Sequence, residues 1–183
     1  MSKKILFQSI KQRLKDEVAE FNGVKNKPVA ELGIRIFNRQ DLDPERHNVL
    51  PLRFVLVEFS QTEWLQETRG TQKGTVTVTV RVGFNSPNND KLDESGFFDF
   101  EEAVHKALHG FGGDCFTNLQ RIADRADENF DHVYIQEIDY STELTDDSAA
   151  ENNKLISKTI STLKVTKDLD IDNDVIRTGD GKT

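Results

Sequence analysis

His105 and His109 stand four residues apart, and on a helix that spacing brings two imidazoles to one side, where they could share a metal ion with Asp114 or Cys115 nearby. Metal-assisted hydrolysis is the chemistry such a pair performs. Lys106, however, occupies the place where the metalloprotease motif carries its Glu, and both histidines fall off the apolar stripe of their helix. They are therefore expected to be solvated or partner-facing. Cys115 has no motif partner and is expected to be a small buried hydrophobe.

Asp168, Asp170, Asp172 and Asp174 alternate with Leu169, Ile171 and Asn173 like the opening of a calcium loop, but the twelfth position is Gly179 instead of a bidentate Glu. A solvated acidic edge, which discourages stray strand pairing, is the expected role. Gly110-Phe111-Gly112-Gly113 follows a helix, whereas a phosphate-cradling loop precedes one. No serine in an elbow context and no further histidine–carboxylate pairing suggests a nucleophile. The sequence is read as that of a non-enzyme, without catalytic, cofactor-binding or metal-ligating residues. For an enzyme, His105, His109, Asp114 and Cys115 would be the cluster to test.

The elements that position these residues are written in the apolar periodicity. Phe7, Ile10, Leu14, Val18 and Phe21 make a stripe that predicts a helix over Lys3 to Phe21, ended by Asn22-Gly23. Leu32 to Phe37 predicts a short strand, and Asn38 to Leu50, around Asp43-Pro44, a loop. Phe54, Val55, Leu56, Val57 and Phe59 are apolar at nearly every position, so Leu52 to Ser60 is expected as a central strand covered on both faces. Gly74 to Phe84 alternates strictly. Val76, Val78, Val80, Val82 and Phe84 share one side, with Thr75, Thr77, Thr79 and Arg81 on the other, which predicts a strand covered on one face and wet on the other in an antiparallel sheet. Gln61 to Lys73, between these two strands, is too long for an ordinary hairpin turn and is read as a protruding arm.

Ser86 to Asp90 is turn chemistry. Phe97, Phe100, Val104, Ala107, Leu108 and Phe111 then predict a second helix, stopped by Gly110, Gly112 and Gly113. Asn118 to Arg125 and His132 to Leu144 predict two further strands, with a bulge near Glu137 carrying a phase shift at Ile138. From Thr145 onward apolar residues are isolated among Ser, Thr, Lys and Asp, too sparse to offset the ordering entropy, so this segment is read as an arm that orders against a neighbour. The fold class is α+β: a mostly antiparallel sheet of four to five strands packed by two helices, with a long hairpin arm. Residues 1–144 form the domain and 145–183 the C-terminal extension.

The chain of 183 residues carries a formal charge of −8, which opposes gripping a phosphate backbone but lets DNA pass nearby. Its single cysteine excludes an internal disulfide. Met1 to Ile10 lacks the apolar core of a signal peptide, and Phe54 to Val57 falls far short of the ~20 residues that span a bilayer, so a soluble protein made in a cytoplasm is expected. Function is expected in surfaces instead of a pocket. The expected contacts are Trp64, Leu65, Arg69 and Lys73 in the arm and Leu155 and Ile160 in the extension, with Trp64 either an interface anchor or folded back over the sheet.

The order of these elements resembles the tail-completion and tail-terminator proteins of long-tailed bacteriophages. The resemblance spans Lys3 to Leu144: the first helix, the Pro51-Leu52-Arg53-Phe54-Val55-Leu56-Val57 strand, the arm with Arg69-Gly70, and the Gly74 to Phe84 strand. It continues through the helix ending Ala107-Leu108-His109-Gly110-Phe111 and the Arg121 to Leu144 hairpin, with Asp127 and Asp131 in its connection. It implies a virion protein of the neck that assembles with itself into a ring, six subunits being the expected number. Such a ring caps the tail tube protein and meets a head-side connector protein, with DNA only as passing cargo, no cofactor and no membrane. The extension from Thr145 departs from that pattern. A small adaptor or binding module outside the neck is the alternative.

Overall fold

A strand that is apolar at every second position needs a layer above it, and two amphipathic helices in the same chain are the natural cover. The computed structural model, which describes residues 2–18, 32–39, 50–68, 70–85, 94–126 and 133–150, shows that arrangement. The elements are α1 (Ser2–Val18), β1 (Leu32–Ile36), β2 (Arg53–Phe59), β3 (Leu65–Thr68), β4 (Thr71–Asn85), α2 (Glu94–Leu108), β5 (Gln120–Ala126) and β6 (Val133–Asp146). The sheet runs β1-β2-β4-β6-β5, and β3 pairs β4 off that path.

β1 is parallel to β2, with Ile34 opposite Val55. β2 with β4, and β5 with β6, are antiparallel. Side-chain pairs Lys73–Glu143, Thr79–Asp139 and Arg81–Glu137 run in opposite directions along β4 and β6, so these two strands are antiparallel as well. The fold is α+β with a mostly antiparallel sheet, of six strands where the pattern marked four to five.

Both helices cover one face. Leu6, Ile10, Leu14 and Val18 of α1 and Phe97, Phe100, Val104, Ala107 and Leu108 of α2 pack against the β4 valines, Val55, Val57, Ile138, Tyr140 and Leu144. The α1 stripe thus begins at Leu6, and Phe7 lies at its margin. Phe84 meets Phe97 and Phe100 edge-to-face, with centroids 6.2 and 5.4 Å away. Arg13 ties the helices together: its Nε donates to the Ala107 carbonyl at 3.1 Å and its guanidinium stands 5.6 Å over the Phe111 ring. α2 ends at Leu108, ahead of Gly110 with φ of 78°.

The opposite face holds a second, smaller cluster of Leu50, Phe54, Leu56 and Ile135, flanked by Phe37. This explains the unbroken apolar run of β2, in which Val55 and Val57 face the helices while Phe54 and Leu56 face the second cluster. Phe54 pairs with Gly83 across β2 and β4, and its ring fills the space a side chain at 83 would occupy.

Ile135 in the second cluster also corrects the expected phase shift in β6. Tyr134, Ile138, Tyr140 and Leu144 share the helix side, and Ile135, Glu137 and Asp139 share the other, so the alternation is continuous. The bulge expected near Glu137 lies instead in β5, where Arg121 opposes Tyr140 and Ala123 opposes Asp139, leaving Ile122 as the extra residue. The expected strand over Asn118 to Arg125 is found as β5, with every residue exposed.

Of the described residues, Gln66–Gln72 and 146–150 belong to a second unit. Its described part includes the hairpin turn at Gly70 and a short turn in which the Ala150 N–H donates to the Asp147 carbonyl at 2.8 Å and the Ser148 N–H to Asp146 Oδ1 at 3.0 Å. Phe21, Asn22-Gly23, the loop around Asp43-Pro44, Ser86 to Asp90, Asp127, Asp131 and Asp168 to Asp174 lie outside the described residues.

Candidate interaction surface

Along Gln61 to Lys73 the chain is not a plain loop: it forms β3 after Trp64, and β4 begins at Thr71. Trp64 is half-buried and packs against the main core. Gly74 lets it approach, since a Cβ there would stand 3.3 Å from the indole and 2.6 Å from the Glu63 carbonyl oxygen. Leu65, the next residue, is 74% exposed. Lys73 faces Glu143 at 4.0 Å across an open trough also lined by Ser60, Thr75 and Thr77. Of the expected contacts, Trp64, Leu65 and Lys73 are thus brought close together, while Arg69, Leu155 and Ile160 lie outside the described residues.

The second face of the sheet is only partly wet. Thr75 is exposed and Thr77 half-buried, but Arg81, expected in solvent, has a side chain 14% exposed. It reaches Glu137 Oε1 at 2.6 Å and stands 4.1 Å over the Phe37 ring. Glu137, itself buried, also receives Arg125 at 2.6 Å, and Arg125 bonds Asp139 at 2.7 Å. Asp139 in turn accepts from Thr79 Oγ1 at 2.6 Å. Hydrogen bonding to Asp139 is the largest cause holding the Arg125 guanidinium above its ordinary value. Two arginines sharing one buried carboxylate fix the relation of β4, β6 and β5 by geometry as well as charge.

The flank between α2 and the terminal strand β5 collects the remaining ionisable groups. His105, expected to be solvated or partner-facing, is half-buried, with Nδ1 3.1 Å from the Tyr140 hydroxyl. Its ring lies 5.1 Å from that of His109, whose Nδ1 takes the Arg121 backbone N–H at 3.5 Å. Burial, then Arg121 and His109, hold His105 below the ordinary histidine value, against the smaller pull of Asp124 and Glu102. Glu101 is pushed up by burial first and by Asp124 next, with Arg121 opposing. Tyr140 is pushed well above the phenol range by burial.

Cys115 is half-buried, packs on the main core and has Sγ 3.9 Å from the Ser2 carbonyl oxygen. Among the described residues no three of His, Cys, Asp and Glu converge where a metal could be held. No described helix is long and apolar enough to cross a membrane. Beyond the α2 flank, Phe98 and Tyr134 are exposed on either side of Phe97, at centroid distances of 5.7 and 6.1 Å from it. Single exposed aromatics have no periodicity of their own, so only the fold shows that Phe97 and Tyr134 meet.

No protein-family model matches the chain, and no curated protein matches it. Among solved structures it is similar to a chain of the structure described as "Virion of native gene transfer agent (GTA) particle", with 11% sequence identity and a TM-score of 0.47, covering 76% of this chain and 94% of that one.

Proposed function

We propose that this protein is a structural component of a bacteriophage neck: a ring-forming tail-completion or tail-terminator protein that caps the tail tube and joins it to the head connector. The observation that carries the reading is the asymmetry of the sheet. Two helices seal one face, while the terminal strand β5 and the arm residue Leu65 remain in solvent, available to the next subunit. A patch that meets a different patch on an identical neighbour makes a heterologous contact, and such contacts close into rings when the rotation allows. The order of elements that resembles this family in sequence supports the same reading. No catalysis is assigned, and His105 and His109 serve packing and hydrogen bonding in this reading.

The net charge of −8 suits a ring through which DNA slides without being held. Neutralising acidic side chains of the lumen is expected to slow DNA passage, and unchanged passage counts against that part. The ring itself is tested by the solution mass of the purified protein across concentration, by light scattering behind a sizing column, with images of any large species. A discrete ring of about six subunits supports the reading. A monomer at every concentration, still monomeric when tail tubes are added, overturns it.

A further inference from the structure

β5 is the last strand of the sheet, and all seven of its residues are exposed. Among the described residues no strand pairs with its outer edge, the situation in which sheets accept an added strand, although the Arg121 N–H already donates to His109 Nδ1. The bulge leaves Ile122 as the extra residue, an apolar side chain 58% exposed. On the helix side the edge is bordered by acids. Asp124 is exposed and Glu101 is half-buried, with Arg121, His105 and His109 as the basic groups on the same flank. The charge of Arg125 is already taken by Glu137 and Asp139 on the opposite face. Burial and Asp124 both raise the Glu101 carboxyl, which marks this border as one that a cation would relieve.

One stretch of the same chain has the matching chemistry. Between Glu151 and Asp168 there is no acid, and Lys154, Lys158, Lys164 and Lys167 are spread along it. Thr159, Ile160, Thr162, Val165 and Thr166 are β-branched, the type that fits a pleated surface, and Leu163 adds an apolar side chain. Ten residue steps separate Asp146 from Ile156, roughly 35 Å of chain at full extension. We propose that residues 156–166 of one copy add as a strand to the outer edge of β5 in the neighbouring copy, covering Ile122 and placing lysines beside Glu101 and Asp124. This rests on the ring reading and names the contact that would link its subunits.

The test uses the full chain. An isotope-labelled protein with a photoreactive phenylalanine analogue in place of Ile122 is mixed with unlabelled protein, assembled and irradiated, and the adducts are mapped by mass spectrometry. The expected adduct joins labelled β5 to residues 154–167 of an unlabelled chain. In parallel, Ile160→Pro and Leu163→Pro each remove a backbone N–H and the freedom to pair as a strand, with the circular dichroism of the monomer checked to be unchanged. They are expected to raise the concentration needed for assembly about tenfold, equivalent to the ~1.4 kcal/mol of one decade, and to leave the Ile122 to Arg125 amides exchanging as fast as in the monomer. Rings that form with unprotected β5 amides, or adducts confined to one chain or to other surfaces, overturn this inference and leave the ring standing. Absence of both rings and adducts at every concentration overturns the two together.

Discussion

The two faces of the sheet are held by different physics, although the same strands build both. On the helix side, β4 contributes only valines and Phe84, and the packing is mainly apolar, with Arg13–Ala107 and His105–Tyr140 as polar contacts at its margin. On the other side, four apolar residues share the surface with Arg81, Glu137, Arg125, Asp139 and Thr79 joined in one chain of charged bonds. A hydrophobic face tolerates exchange of similar volumes, whereas a charged network fails when one member is removed and the rest stay buried. The first face is what folds the domain. The second aligns β4, β6 and β5 with one another.

The sharpest way to break this comparison is to remove one member from each side. Phe100→Ala, at the aromatic centre of the helix face, is expected to cost about 3–5 kcal/mol in denaturant unfolding. Glu137→Ala takes the 2.6 Å carboxylate from the largely buried Arg81, which keeps only longer contacts such as Glu58 at 4.0 Å, and about 3 kcal/mol is expected, the low end of the range because Arg125 is half exposed. Replacing the pair together, as Arg81→Met with Glu137→Met, should recover much of that loss; a double variant as weak as Glu137→Ala would mean that the carboxylate acts through something other than charge. Adjacent residues of β4 then sharpen the contrast. Val76→Thr buries a hydroxyl among aliphatic side chains and is expected to cost about 1–3 kcal/mol, whereas Thr75→Val on the exposed side should stay within about 0.5 kcal/mol.

The smallest effect is one of pH. His105 titrates below its ordinary value of 6.5 in the folded chain, because burial, Arg121 and His109 outweigh Asp124 and Glu102, while the Tyr140 hydroxyl bonds its ring. The unfolded chain therefore takes up the proton first as pH falls. Its contribution to stability is present above 6.5 and is lost as pH falls from there through the lower folded value. His105→Gln should flatten that part of a melting-temperature profile. A profile unchanged by the substitution would show that another group sets the slope.

How much of this was legible in the sequence follows from how locally each feature is encoded. The β4 alternation and the stripes of both helices were, because their periods repeat within a few residues of the same segment. β6 was readable as a strand but not in phase: Ile135 is buried by Leu50, Phe54 and Leu56, which come together only through the sheet, so it looked like a slip of register. β5 carries almost no apolar signal, since the fold leaves it in solvent. Arg81 sits at a position that alternation assigns to water, and its burial depends on residues distant in sequence, among them Glu137, Phe37 and Glu58. The arm showed its length but not β3. In the candidate surface, Trp64, Leu65 and Lys73 were named from their segment alone, whereas Ile122, Phe98 and Tyr134 emerged only once the strands were placed.

Phe54 and Gly83 divide one space between them. Because the ring of Phe54 occupies the volume above position 83, side chains at the two positions compete for the same space. Gly83→Ala alone would evict the ring from the cluster of Leu50, Leu56 and Ile135, but the same alanine beside a shortened residue 54 would fill the gap it creates. Related chains, when aligned, should show these two sites covarying in opposite directions of volume, a signature that would reveal this sheet register without any coordinates.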